Sequence, residues 1–222
     1  MIENDGLTGV ILAGGASHRM GYNKAFLELA GRPMIAVIAE RLRAVAGEII
    51  IAAADTQLYA PFADRCVADV FPDVGTLGGL HAGLRAATHD LALIVGCDMP
   101  FLDPAVMAWF AQAAADADLV VLRPGEWLEP LHAVYRSSCL PVIESAIHAG
   151  ERQAFCFYDE VRTRYVDPSE IEHLDPDLRS FRNINTPKEW RTVLAEIMVE
   201  VKLGDSSQPS ETFVVDKRQS FC

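Results

Sequence analysis

The sequence predicts an α/β protein built on an open, mainly parallel sheet with helices covering both faces. Three observations carry this prediction. Short apolar runs alternate with helix-spaced segments through the first half of the chain. Helix-start signals, Pro33 and Asp103-Pro104, stand between those runs. Two of the runs, LTGVILA and LALIVGC, stop abruptly at Gly-Gly and at Asp98-Met99-Pro100, and open sheets of this kind place ligands beyond the carboxyl ends of their strands.

Taken in order, Leu7 to Ala13 is a buried strand feeding a glycine loop. Pro33 suits the first position of a helix, and the apolar spacing of MIAVIAERLRAVA sustains that helix to Gly47. Glu48 to Ala54 (EIIIAAA) is a second buried strand, followed by a short helical stretch and a brief strand near Cys66 and Val67. The segment from Asp69 to Gly79 is too rich in Gly, Pro and Asp to be regular and is expected as a long loop. Helical spacing resumes in LGGLHAGLRAAT, and Leu91 to Cys97 is the most apolar strand. Asp103 is an N-cap with Pro104 at N1, opening a helix through Asp116, and DLVVL is a further strand. The second half is less regular. It contains a strand in EPLHAVY, a helix from about Ser137, a strand in VRTRYVD, and a last helix capped by Thr186, Pro187 and Glu189. Beyond Val201 the chain turns polar, so one domain over 1–201 and a flexible tail over 202–222 are expected.

Composition narrows the function. At 222 residues, half of them hydrophobic, the chain can bury a full core. A formal charge of −12 with no basic cluster argues against a nucleic-acid partner, whose phosphates need concentrated cations. Five widely spaced cysteines without a Cys-x-x-Cys pair suggest neither a disulfide framework nor a zinc site, and the histidines form no His-Glu-x-x-His motif. No apolar run approaches the roughly 20 residues that span a bilayer. The start MIENDGLTG lacks the basic and apolar regions of a signal peptide. A cytoplasmic, reduced protein with no membrane partner is the expectation.

Three stretches bear chemistry. LAGGASHRMGYNK, residues 12–24, fits neither the Walker spacing nor G-x-G-x-x-G. Gly14 and Gly15 nevertheless let phosphates approach the backbone after a buried strand, with Arg19 and Lys24 supplying charge. Read alone, the stretch serves equally as a glycine-rich turn with two surface cations. In GCDMPFL, Asp98 follows an apolar strand and offers one carboxylate to a hard divalent cation whose oxygen shell phosphates and water would complete. Its bland counterpart is an Asp capping a turn. Asp69, ahead of GTLGGLHAG, could accept a hydrogen bond from ribose or base; alternatively the glycines merely shape a connection. His132 and His18 receive no role.

LAGGASHRMGYNKAFLELAGRP, GTLGGLHAG, CDMPFL, PLHAVY, AGERQAF and NINTPKEW occur here in order, and together they resemble the molybdenum cofactor guanylyltransferase family over residues 7 to about 199. The resemblance implies a Rossmann-like, three-layer nucleotidyltransferase fold with a mainly parallel central sheet. It implies transfer of GMP from Mg-GTP to the phosphate of molybdopterin, releasing pyrophosphate. Carried over by motif, Leu12, Ala13, Gly14 and Gly15 bind GTP with Asp69, Lys24 contacts its phosphates, and Asp98 holds Mg²⁺. Arg19, Lys24 and Asp98 form the catalytic set. Asn183, Asn185 and Arg152 lie toward the pterin. Contact with proteins of molybdenum cofactor synthesis or delivery is a further expectation. One departure is visible: where the family often has Asn-x-Asn-Arg, this chain reads AAADTQ from Ala52 to Gln57. Related enzymes use CTP and tend to read LAAG, whereas the intact LAGG resembles the GTP users. The alternatives are cytidylyl transfer, another phosphorylated acceptor, or a non-catalytic nucleotide-binding module.

The chemistry is consistent with these residues. A phosphate monoester nucleophile is mostly dianionic at neutral pH, since its second pKa is about 6. No dedicated general base is then required, and the task is to neutralise and align two polyanions at the α-phosphorus.

Overall fold

The computed structural model describes residues 6–14 and 23–204. The chain divides into two units, residues 1–185 and 186–222. Among the described residues the first holds nine strands, β1 (Leu7–Leu12), β2 (Glu28–Leu29), β3 (Arg32–Pro33), β4 (Glu48–Ala52), β5 (Arg65–Val67), β6 (Leu91–Gly96), β7 (Leu119–Leu122), β8 (Glu129–Arg136) and β9 (Thr163–Val166). Its helices are α1 (Met34–Arg43), α2 (Thr56–Tyr59), α3 (Thr76–Ala86), α4 (Pro104–Ala113), α5 (Leu140–His148) and α6 (Pro168–Ile171).

Seven strands form one sheet in the order β5-β4-β1-β6-β8-β7-β9. The first four are mutually parallel, β8 runs antiparallel to both β6 and β7, and β9 returns parallel to β7. The mainly parallel sheet is thus observed, with one reversed strand inside it. β2 and β3 form a separate two-stranded hairpin that periodicity does not anticipate. Its turn residues, Ala30 and Gly31, both have positive φ, as the tight hairpin turn requires.

Helices cover both faces. α3 lies over β1, β4, β5 and β6 and beside α5, while α1 packs on the opposite face of β1 and β4. The alternation along β1 explains the division. Val10 and Leu12 join the core beneath α3 and α5, together with Leu77, Leu80, Leu84, Ile143 and Phe157. Gly9 points the other way, toward Leu42, Ala46 and Ile49. A Cβ at Gly83 would come within 2.4 Å of Val10 Cγ1, so glycine is what lets α3 settle on the sheet.

Several boundaries differ from the sequence reading for local reasons. Pro33 is the N-cap of α1, not its first helical residue, because it pairs with Glu28 in the hairpin and keeps an extended ψ of 137°. The loop from Asp69 ends at Gly75, since α3 takes up Thr76 to Gly79. Asp103 caps α4 as expected, its Oδ1 accepting from the Ala105 N–H at 2.7 Å.

The second unit contains α7 (Pro187–Gly204). Thr186 and Glu189 close a reciprocal capping box, with the Glu189 N–H donating to Thr186 Oγ1 and the Thr186 N–H to Glu189 Oε2. Residues 205–222, most of the expected tail, lie outside the described residues. Among the described residues no helix is long and apolar enough to cross a membrane.

Candidate active site

Four parallel strands finish at one edge of the sheet, and β8 begins there. Leu12 at the end of β1 pairs with Gly96 of β6 on one side and Ala52 of β4 on the other. Backbone bonds continue past the strands: the Ala13 N–H donates to the Ala52 carbonyl at 2.9 Å, and the Cys97 N–H donates to the Leu12 carbonyl at 3.1 Å. Leu12 and Ala13 are therefore held between the ends of β4 and β6, next to Cys97, and Gly14 follows them. The chain adds β4 and β5 to one side of β1 and β6 to the other, so this edge is the switch point at which α/β sheets open a crevice.

Asp98 turns back over the end of its own strand. A Cβ on Gly96 would lie 2.7 Å from Asp98 Oδ1, so only glycine leaves room for the carboxylate. Lys24 Nζ approaches Asp98 Oδ2 at 3.7 Å and donates to Asn185 Oδ1 at 2.9 Å. Both members of the ion pair are largely enclosed, with side-chain exposures of 14% and 21%. Burial pushes the Asp98 carboxyl above its ordinary range, and the Lys24 charge opposes that rise. The Asp98 carbonyl accepts from the Ile184 N–H at 2.9 Å, which ties the Asn183–Asn185 segment to this strand end.

Lys24 is presented by a short 3-10 turn, Lys24–Phe26, capped by Asn23. Asn23 Oδ1 accepts from the Ala25 N–H, and Asn23 Nδ2 donates to Tyr59 Oη at 2.7 Å. Asp69 lies just beyond β5, and its carboxylate rests against the first turn of α3 at Gly78 and Gly79. Its pKa is raised by burial and held back by His81. Asp55, in the stretch that departs from the family pattern, caps α2 through Leu58.

The structure thus gathers Lys24, Asp98 and Asn185 directly and places Leu12, Ala13, Gly14 and Asp69 on the same edge. The Ala13 N–H is already taken by the Ala52 carbonyl of β4. Asn183 Oδ1 is sealed from solvent with no partner among the described residues. Arg152 is exposed, and its Nη1 donates to the neighbouring Glu151 carbonyl. Gly15, Arg19 and His18 lie outside the described residues.

Two residues of this edge receive no role from the sequence. Glu129, first in β8, has its carboxyl pushed up to about 7, chiefly by burial and further by the charge of Asp98. Its one sequence signal is its place at the head of EPLHAVY. His81, on α3, is fully buried behind Asp69; its Nε2 pairs with Glu144 Oε1 at 2.9 Å, and Phe71 meets it edge-on. A lone histidine at helical spacing gives no warning of that. His132 proves to be core. It stacks on Phe181 with ring centroids 4.3 Å apart, and burial pushes its pKa down to about 4.

A hard divalent cation fits the donors present. They are all oxygen, and the Asp98 carboxylate is fixed in place beside the unpartnered Asn183 oxygen's segment. Among the described residues no three His, Cys, Asp or Glu side chains converge as a self-sufficient metal cage. The remaining ligands would be phosphate oxygens and water, as is usual where a cation arrives with a nucleotide.

Comparison with known proteins gives the family. Residues 9–163 match the family model described as the MobA-like NTP transferase domain. The molybdenum cofactor guanylyltransferase of Desulfosudis oleivorans is 40% identical over 195 residues, covering 87% of this chain and 96% of that protein. A probable molybdenum cofactor guanylyltransferase of Pelotomaculum thermopropionicum is 37% identical over 193 residues, covering 87% and 93%. Among solved structures, molybdopterin-guanine dinucleotide biosynthesis protein A from Archaeoglobus fulgidus superposes with a TM-score of 0.75 at 26% identity, over 87% of this chain and 99% of that one.

Proposed function

From the premise that this chain belongs to the MobA-like NTP transferase family, we propose that it transfers GMP from GTP to the terminal phosphate of molybdopterin, releasing pyrophosphate. The observation that carries the reading is the Lys24, Asp98 and Asn185 cluster at the carboxyl edge of the sheet. A phosphate oxygen of molybdopterin attacks the α-phosphorus of GTP. The new P–O bond forms as the bond from the α-phosphorus to the oxygen bridging to the β-phosphate breaks.

Each residue acts by placing charge. Lys24 offers an ammonium held in position by Asn185, so its attraction for the triphosphate needs little reorganisation when substrate arrives. Leu12, Ala13 and Gly14 border the nucleotide, and Asp69 accepts from the nucleoside. Asp98 would hold Mg²⁺, which when bound would supply positive charge against the triphosphate and the pyrophosphate it releases. Asn183, Asn185 and Arg152 face the acceptor, and Arg19 joins Lys24 over the triphosphate. Molybdopterin and GTP are the small-molecule partners, with proteins that supply or take up the pterin as further ones.

Purified protein incubated with molybdopterin, Mg²⁺ and each nucleoside triphosphate in turn tests this reading. Pyrophosphate release with GTP and formation of the guanine dinucleotide are expected. Release with CTP and not with GTP would overturn the guanylyl assignment. An unchanged rate in Asp98→Asn would overturn the role of the cation site.

A further inference from the structure

We propose that Tyr59 is a positioning residue for Lys24, acting through Asn23, an inference that rests on reading Lys24 as a cation over the triphosphate. Lys24 opens a 3-10 turn, whose few hydrogen bonds of poor geometry cannot by themselves fix a long side chain. It is held at both ends instead. The ammonium meets Asn185 Oδ1 at 2.9 Å and Asp98 Oδ2 at 3.7 Å. At the base, Asn23 Oδ1 accepts from the Ala25 N–H at 3.1 Å, while Asn23 Nδ2 donates to Tyr59 Oη at 2.7 Å. A rotated amide would set its NH₂ against the Ala25 N–H, so the orientation in which the phenol accepts is the one that caps the turn. One side-chain amide thus ties the start of the lysine's turn to a residue 36 positions away.

Tyr59 suits that task because packing fixes it in turn. Only 3% of it is exposed, and its ring lies 5.4 Å from that of Phe26, the last residue of the lysine's turn. Phe26 meets Phe62 edge-on at 6.0 Å. The turn is therefore gripped twice by one residue, through the hydroxyl ahead of Lys24 and through the ring behind it. Tyr59 closes α2, which Asp55 caps and which packs on β4 and β5. The last residue of β4, Ala52, pairs with Leu12, so α2 carries the rigidity of the sheet edge to the lysine. Burial pushes the phenol's pKa up, against the bond from Asn23 and with help from Cys97 and Asp55. The hydroxyl accordingly stays neutral and accepts from Asn23 without setting a rival anion beside Lys24. Packing alone would ask for phenylalanine; the hydroxyl is the part that reaches the cap.

Steady-state GMP transfer by the full chain, measured for Tyr59→Phe, Lys24→Met and the double variant alongside melting curves, provides the test. Tyr59→Phe keeps both the ring and the ammonium but frees Asn23, so GTP is still attracted while the charge is misplaced for the transition state. It should lower kcat by about tenfold and leave KM for GTP within about twofold. In the Lys24→Met background the same change should cost less than about twofold, because no ammonium is left to misplace. Asn23→Ala, which removes both bonds, should lower kcat at least as far as Tyr59→Phe. An unchanged kcat in Tyr59→Phe, or an equal loss in both backgrounds, would overturn the proposal while the reading of Lys24 stands. If Lys24→Met alone transfers at the parent rate, that reading falls and the role of Tyr59 falls with it.

Discussion

Replacing Glu129 by glutamine should stabilise the metal-free protein at alkaline pH and leave it unchanged in acid. Burial, with the Asp98 charge adding to it, lifts the Glu129 carboxyl from 4.5 to about 7. The groups facing it are Asp98, with Lys24 behind, and the buried hydroxyls of Tyr135 and Tyr158, whose own pKa values are raised in part by Glu129. Between those two pH values the folded state keeps a proton that the unfolded chain has already lost. The contribution of protonated Glu129 is therefore fully present below 4.5 and is lost as pH rises through about 7. At about 1.4 kcal/mol per pH unit, the loss amounts to about 3 kcal/mol once Glu129 is ionised. For a chain of this size that corresponds to roughly 10 °C in melting temperature. Glutamine does not ionise, so urea or thermal unfolding in EDTA should show variant and parent alike near the lower pH limit, with the variant ahead by about 3 kcal/mol at about pH 8. A gap independent of pH, or a parent more stable than the variant at alkaline pH, would refute the reasoning.

Gly96→Ala should fold, at a cost of about 1–3 kcal/mol, yet lose about a hundredfold in kcat/KM, because the new Cβ takes the space of Asp98 Oδ1. Paired melting and steady-state measurements separate the two effects. Lys24→Met should lower kcat/KM by about 10²–10³-fold, and Lys24→Arg should not restore it, since a guanidinium cannot reproduce the single ammonium contact with Asn185 and Asp98. His132 is buried neutral, its pKa pushed from 6.5 down to about 4, so its contribution is present above 6.5 and is lost as pH falls through about 4. His132→Phe should remove about 3 kcal/mol of that acid sensitivity, read as the difference between the two proteins' unfolding free energies across this range.

The parallel half of the sheet was legible because its strands are unbroken apolar runs and its helices carry caps. β1, β4 and β6 end within one or two residues of the expected places. The direction and position of β8 were not legible, since an apolar-polar alternation carries no sign of orientation and nothing local says that EPLHAVY inserts between β6 and β7. Glu129 was missed for that reason: only the insertion of β8 between β6 and β7 brings it to the edge at which β6 ends. Lys24, Asp98 and Asn185 were each singled out by motif, but their mutual contact is tertiary. The hairpin of β2 and β3 escaped notice because Ala30-Gly31 is not the Asn-Gly or Asp-Gly pair that announces such a turn. α6 had a readable signature in Asp167, Pro168 and Glu170, a complete capping box, but its single turn offers no periodicity.

The bond from Lys24 to Asn185 spans 161 positions of the chain. Chain closure over such a distance is costly in entropy and comes after local contacts have formed. During synthesis the sheet strands and Asp98 emerge long before Asn185, so a nascent chain can hold its scaffold while its ammonium is still untethered. On the proposed role of Lys24, catalytic competence then dates from the arrival of the last residues of the first unit. A ribosome-stalled chain ending before Asn183 should bind nucleotide more weakly than one released just after Asn185, and that interval is the time in which the enzyme is folded but not yet armed.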